Sequence, residues 1–277
     1  MQTFTSMKAL FLSVALAALG SAGLLPAAEY APTVGLQTWT CRNMNFDQVV
    51  AFAVKHKLQQ VQMMGGHMDP NAAKEETLRK KAVLDKHGLT VYTFGVAGTS
   101  PDKEKNRKLF DFAKLVGIKL IVVEPTNDKA LWDGLEELVK EYDIKLAIHN
   151  HGRESVYGTP EKVWSVLKNR DRRIGVCMDV GHITGAGFDP AKAFVEYDGR
   201  VYDIHLKDKK VEKTADGKTV VLDVKVGTGD ANYKGLFAEL KKAKWNGVLA
   251  IETDNGTFAK EPTEFVVAAI EFVKKQK

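Results

Sequence analysis

The sequence predicts a single-domain α/β protein folded as a (β/α)8 TIM barrel, with a hairpin inserted after the seventh strand. Three observations carry that expectation. Short apolar runs alternate with amphipathic helical segments from Thr33 to Lys274. The alternation completes eight strand–helix units, the number that closes a parallel barrel. Four of the runs also end on a residue able to ligate a metal: Leu120–Glu124, Ile174–Asp179, Val201–His205 and Gly247–Glu252. A doubly wound open sheet alternates in the same way, but no G-x-G-x-x-G or Walker A pattern stands at any strand-to-helix turn here.

Taken in order, the first strand is Val34–Trp39, followed by a helix over Phe46–His56 with Val49, Val50, Phe52 and Ala53 on one face. The second strand is Gln60–Met64. Its helix spans about Asn71–His87 and stops at Gly88. Leu89–Phe94 forms the third strand, and a helix begins after Thr99-Ser100-Pro101-Asp102 and runs to Val116, closed by Gly117. Leu120–Glu124 and Lys129–Tyr142 make the fourth unit. Lys145–His149 and Pro160–Leu167 make the fifth, with Thr159 as N-cap and Pro160 in the first turn. Ile174–Asp179 and Pro190–Tyr197 follow, then the seventh strand, Val201–Leu206. The polar stretch from Lys209 to Asp230 holds Asp216-Gly217 between two alternating segments, which predicts a β-hairpin. Helix Tyr233–Ala243, strand Val248–Glu252 and helix Thr263–Lys274 complete the ring.

Composition is that of a globular chain: 277 residues, 44% hydrophobic and 27% charged, with a net charge of +5. Basic and acidic residues are mixed, and no basic run is interleaved with aromatics, so nucleic acid is not an expected partner. Lys8 precedes the apolar run Ala9–Leu19, and small residues follow to Ala28. This pattern predicts a signal peptide over residues 1–28, a barrel domain over 29–277 and an exported enzyme, periplasmic or extracellular. The apolar run falls short of the roughly 20 residues that span a bilayer, and no span is expected in the mature chain. Cys41 and Cys177 are expected to be free thiols, because two cysteines do not make a disulfide framework. The oligomeric state is left open, a homo-oligomer included.

In a closed parallel barrel every strand points its C-terminal end to one mouth, where active sites are built. Glu124, Asp179, His205 and Glu252 therefore converge. Two Glu, one Asp and one His suit one divalent cation, and buried strands have little other use for such groups at their tips. His149 and His151 end the fifth strand, His182 follows the sixth, and Lys207 shares a face with His205 by strand alternation. Trp39, at the end of the first strand, is a candidate sugar-stacking platform, with core packing as the alternative. His67, after the second strand, is a further candidate substrate contact. His56 and His87 sit at helix C-termini, where an imidazolium suits the dipole.

The ordered segments Val-Glu124-Pro, His149-Asn-His151-Gly, Met-Asp179-Val-Gly-His182, Ile-His205-Leu-Lys207-Asp208 and Ala-Ile-Glu252 resemble the xylose-isomerase-like TIM barrel superfamily, over essentially the whole mature chain. That group includes sugar epimerases, hydroxypyruvate isomerase, inosose dehydratase and the endonuclease IV branch. The resemblance implies one divalent metal (Mn2+, Co2+, Mg2+ or Zn2+) held by Glu124, Asp179, His205 and Glu252. It implies that Glu124 and Glu252 also act as acid and base, that His182 polarises substrate, and that Lys207 neutralises an enolate or orients a hydroxyl. His149, His151, Trp39 and His67 are then substrate contacts. The endonuclease branch carries a longer ligand set, and Phe94-Gly-Val-Ala97 offers no histidine at the end of the third strand. His149-Asn-His151-Gly152 followed by Gly158-Thr159-Pro160 is similar to the inosose-dehydratase branch.

The expected function is a metal-dependent sugar isomerase or epimerase that abstracts a proton next to a carbonyl through an enediolate. A lyase or dehydratase acting on a keto-sugar or 3-keto-glycoside by enolisation and β-elimination is the second expectation. A non-catalytic carbohydrate-binding barrel is the third. The substrate in each case is a small sugar or keto-sugar.

Overall fold

In the computed structural model the described residues are Tyr30 and 32–276; the leader segment inferred over 1–28 lies outside them. Ten strands are present among these residues: β1 (Thr33–Gln37), β2 (Gln60–Met63), β3 (Thr90–Ala97), β4 (Leu120–Val123), β5 (Lys145–His149), β6 (Ile174–Asp179), β7 (Val201–Leu206), β8 (Asp208–Lys213), β9 (Thr219–Val224) and β10 (Val248–Ile251). The helices are α1 (Phe46–Lys55), α2 (Lys74–Lys86), α3 (Lys103–Val116), α4 (Lys129–Tyr142), α5 (Pro160–Leu167), α6 (Val180–Gly185), α7 (Pro190–Glu196), α8 (Tyr233–Lys242), α9 (Gly256–Lys260) and α10 (Pro262–Lys274). Eight strands close a parallel barrel in the order β1-β10-β7-β6-β5-β4-β3-β2, and β8 pairs antiparallel with β9 as a separate hairpin.

The sequence dictates most of this locally. Asn45 and Gln48 form a reciprocal capping box at the start of α1. Asp102, Asp128 and Thr159 cap α3, α4 and α5 through their side chains. Gly117 ends α3 in the left-handed conformation, with φ 91°. Apolar faces of the helices pack on the outer surface of the strands; Leu135, Leu138 and Val139 of α4 are fully buried.

Several elements differ from the sequence expectation. α2 begins at Lys74 rather than Asn71, because Asp69 accepts from the Asn71 backbone and holds that stretch in a turn. Trp39 lies in a 3-10 turn (Thr38–Cys41) rather than on β1. Two short helices, α6 and α9, stand where loops were expected. Asp179 caps α6 by accepting from the His182 backbone, and Asn255 caps α9. The hairpin starts at Asp208, and Asp216-Gly217 lies in its turn, with Gly217 at φ 80°. Cys41 and Cys177 are buried free thiols. No helix among the described residues is long and apolar enough to cross a membrane.

The barrel interior explains why polar groups collect at one end. Leu120, Val122, Ala147 and Cys177 pack together as a small interior cluster, against Tyr202. Residues two apart on a strand share a face. Val122, Ala147 and Cys177 are therefore succeeded, one layer higher, by Glu124, His149 and Asp179. The register pairs Asp179 with His205 across β6 and β7. A bulge between these strands skips Tyr202 and makes room for its ring beside Gly175. A Cβ at Gly175 would stand 2.3 Å from the Arg200 carbonyl oxygen and 2.4 Å from the Tyr202 ring. Gly175→Ala is accordingly expected to destabilise the protein by about 2 kcal/mol, as overpacking does. Urea denaturation checks this; an unchanged midpoint would show that β6 and β7 separate without cost.

Candidate active site

The mouth of the barrel holds a cavity of about 370 Å3 whose lining includes Glu124, His149, His151, His182, His205, Lys207, Glu252, Asp254 and Trp39. It lies at the C-terminal ends of the strands, as the barrel rule requires. Lys207 is a buried cation in this lining, only 1% exposed. Its Nζ is 2.6 Å from Glu252 Oε2, 2.8 Å from Asp254 Oδ2 and 3.1 Å from Asp179 Oδ2, and 3.3 Å from His182 Nε2. Gly181 leaves space for its stem, since a Cβ there would meet Lys207 Cγ at 2.6 Å.

Opposite Lys207 stand the nitrogen donors. His149 Nε2 is 3.6 Å from Asp179 Oδ2, and its Nδ1 is 3.6 Å from Glu124 Oε2. His205 Nδ1 lies 3.6 Å from Asp179 Oδ2 and 3.5 Å from Glu252 Oε2. Both His149 nitrogens, His205 Nδ1, Asp179 Oδ2 and Glu252 Oε2 are buried without a hydrogen-bond partner; the ion pairs of the last two with Lys207 are close but lack hydrogen-bond geometry. Buried polar atoms seldom stay unpaired. His149 Nε2, Asp179 Oδ2 and His205 Nδ1 lie within reach of one common cation, with Glu252 Oε2 beside His205. Two imidazoles and two carboxylates suit zinc, manganese or cobalt.

Neighbouring residues fix these ligands in place. Asp179 divides its two oxygens: Oδ1 accepts from the His182 backbone, and Oδ2 turns to His149, His205 and Lys207. The Asn150 side chain bonds both the amide and the carbonyl of Asp179. His205 Nε2 is 2.7 Å from Gln62 Oε1, a contact that fixes the ring with Nδ1 turned towards the carboxylates. Below it, Tyr92 and Cys177 both donate to Asp203.

Most sequence-predicted site residues meet in this cavity, with three differences. His149 stands among the predicted ligands as well as beside the cavity. The groups of ligand atoms within 4.8 Å of one another include Glu124–His149–His151 and His149–Asp179–His205. His149, expected to touch substrate, thus belongs to both groups and stands between Glu124 and Asp179. His67 departs from its predicted role. Its ring is buried beneath the β2 loop with Nε2 3.0 Å from the Met44 carbonyl, and it does not line the cavity. Asp254 was missed, because it lies beyond the strand-end position that the repeat marks. Its Oδ1 accepts from the exposed Trp39 indole, and its Oδ2 reaches Lys207 and His182. The hairpin holds it there: Asp223 of β9 accepts from the Asp254 amide and the Thr253 hydroxyl and pairs with Lys209.

The charge pattern follows from these contacts. Burial would raise the Glu124 pKa, but His149 and His151 outweigh it and hold the carboxyl at about 2. Burial acts the same way on Asp179, where Lys207 and His182 overcome it and leave the group well below the usual range. At Asp254 burial is reversed by His182 and Lys207, and the pKa falls. Burial pushes Lys207 down, but Asp179, Glu252 and Asp254 carry it well above its ordinary value. Contact with Glu124 raises His151, and burial lowers His182.

Two outcomes are expected. Carboxylates with depressed folded pKa values add stability above their unfolded values near about 4, and this is lost as pH falls. The metal-free protein should therefore lose stability steadily from about pH 4 towards pH 2, as Glu124 and the Lys207-paired Asp179 and Asp254 take up protons. Lys207→Met should cost about 3 kcal/mol at neutral pH, because it strands buried carboxylates, and should flatten that acid slope. Chemical denaturation across pH reads both; a Lys207→Met variant as stable as the parent, with the same slope, would contradict the charge arrangement.

Comparison with known proteins agrees with this architecture. Residues 50–276 match the family model of the xylose isomerase-like TIM barrel. Inosose dehydratase of Clostridium perfringens is 26% identical over 241 residues, covering 73% of this chain and 81% of the relative. A crystal structure of an uncharacterized protein from Parabacteroides distasonis is 28% identical, with a TM-score of 0.68 over 89% of this chain and 99% of that one. The IOLI protein, solved with a zinc atom bound, superimposes with a TM-score of 0.69 at 16% identity, over 88% of this chain and 97% of its own. The chain belongs to the xylose isomerase-like TIM barrel family.

Proposed function

We propose that this protein is a divalent-metal-dependent lyase that enolises a keto-sugar or keto-polyol and expels a β-substituent. The observation that carries this reading is the unequal chemistry of the two cavity walls. Epimerisation at one carbon calls for two groups able to exchange protons from opposite faces. Glu252 is placed beside Lys207, but Glu124 is engaged by both His149 and His151. One wall thus offers a carboxylate base, and the other a histidine whose proton is held by a glutamate. The likeness to inosose dehydratase supports the same reading.

His149, Asp179, His205 and Glu252 would hold the metal. When bound, the cation polarises the substrate carbonyl and adjacent hydroxyl and stabilises negative charge on oxygen. The chain supplies the rest. Glu252 takes the proton from the carbon next to the carbonyl. The Lys207 ammonium, with His182 beside it, neutralises charge that develops on the enolate oxygen. His151, half-exposed at the open side and paired with Glu124, gives its proton to the departing oxygen. The C–H electrons form the new double bond as the C–O bond breaks, giving an enone and water or an alcohol. Trp39, 41% exposed at the rim and fixed by Asp254, offers a flat apolar face to a sugar ring.

Isomerisation without loss of a group is the second reading, favoured by Glu124 and Glu252 standing on different strands of the same mouth. We place the enzyme outside the cytoplasm, on the Lys8–Leu19 pattern.

Incubation of metal-loaded protein with inosose and with keto-sugars in deuterated water, followed by NMR, tests the chemistry. Loss of a β-substituent with an enone product is expected. Deuterium at an unchanged skeleton would favour isomerisation, and no exchange with any substrate would favour a binding protein. Glu252→Gln should lower turnover by at least about a hundredfold; near-parental activity would remove Glu252 as the base. Chelation should abolish turnover, with recovery on adding Zn2+, Mn2+ or Co2+; full activity without metal would overturn metal dependence.

A further inference from the structure

The catalytic cavity does not end at the barrel mouth. It adjoins a second cavity of about 440 Å3 across Gly65 and Val96, which line both. That one in turn adjoins a third, of about 480 Å3, across Pro70, Asn71 and Lys108. Together they trace a continuous groove from the metal site outwards, over the ends of β2 and β3 and along the cleft between α2 and α3. The groove is open where it leaves the active site. A Cβ at Gly65 would meet nothing within 4 Å, and Val96 is 41% exposed.

Its charge is one-sided. Within α3, Lys103 pairs with Glu137, and Arg107 with Glu104 and Glu141. Lys105 and Lys108, one turn apart, line the groove instead, and neither has an acidic partner among the described residues. Lys74 adds a third cation in the outer part. Asp111 is the one acid among the described residues lining the two outer cavities, and it accepts from the Tyr142 hydroxyl. Helix α3 thus pairs Lys103 and Arg107 with acids of α4 and leaves Lys105 and Lys108 unpaired on the side facing the groove.

We infer that the groove is a subsite for the non-reacting part of an extended substrate: a glycoside whose second sugar unit carries a carboxylate. The inference rests on the lyase reading for the ring held at the metal site and extends it to the rest of the molecule. The second unit passes over Gly65 beside Val96, and its carboxylate lies between Lys105 and Lys108. Binding energy from such a remote unit can be used to position the reacting ring. It also makes the departing oxygen a sugar hydroxyl instead of water.

The test is binding of four probes by the metal-loaded full chain (glucose, glucuronic acid, cellobiose and cellobiouronic acid), with deuterium exchange and turnover followed on monosaccharide keto-sugars. Calorimetry is expected to show cellobiouronic acid binding roughly tenfold tighter than cellobiose or either monosaccharide, and weakening as salt rises. Lys105→Ala/Lys108→Ala should remove that preference while leaving glucose binding and turnover of a monosaccharide keto-sugar unchanged. Equal affinity for all four probes, or a preference that survives the double substitution, overturns the subsite. If monosaccharide keto-sugars react but the acidic disaccharide has no advantage, the subsite fails and the lyase reading stands. If the acidic disaccharide binds through the two lysines but no keto-sugar exchanges, the lyase reading fails and the groove stands.

Discussion

One buried ammonium group organises the site. Lys207 Nζ sits among carboxylates from two strand ends: Asp179 at the end of β6, and Glu252 and Asp254 beyond β10. Isolated in a barrel, a charge of either sign would cost several kcal/mol. Together they offset one another, and the strand ends can gather acids for a second cation without forcing them apart. In the proposed reaction the same ammonium faces the carbonyl, so the group that makes the site foldable would also stabilise the enolate. Every other device serves this cluster. Asn150 fixes the Asp179 backbone, Gly181 makes space for the lysine stem, and the β8–β9 hairpin holds Asp254 through Asp223.

The hairpin shows how an insertion becomes part of the candidate site. Asp208 accepts from the amides of Gly227, Gly229 and Ala231 and ties the returning chain to the root of the hairpin. Asp223, near the other end, fastens the β10 loop. The hairpin therefore braces a wall of the cavity from outside the barrel. Its exposed residues Val211, Val221 and Leu222 take no part in this.

Much of this is legible in the sequence, for physical reasons. Strand–helix alternation and helix caps are local, so the eight-unit barrel and most of its elements follow from periodicity and from residues such as Asn45, Asp102 and Thr159. Strand-end chemistry is legible because barrel closure converts a position along the chain into a position in space. Glu124, Asp179, His205 and Glu252 are placed at one mouth on that ground. What the sequence hides is non-local. Whether Glu124 or His149 stands nearer Asp179 depends on relative strand height and side-chain direction, which alternation does not fix. His67 shares a mouth loop with true lining residues, yet its ring turns towards the Met44 carbonyl, a contact that no spacing announces. Asp254 gains its role from a hairpin residue thirty-one positions earlier in the chain.

The central claim is that His149, Asp179, His205 and Glu252 hold a divalent cation beside a charged Lys207. X-ray absorption spectroscopy of the zinc-loaded protein addresses it most directly. The predicted result is a first shell containing two imidazoles and carboxylate oxygens, with loss of one imidazole in His149→Ala. A first shell with one imidazole that is unchanged by that substitution, or no stoichiometric metal at all, would contradict it.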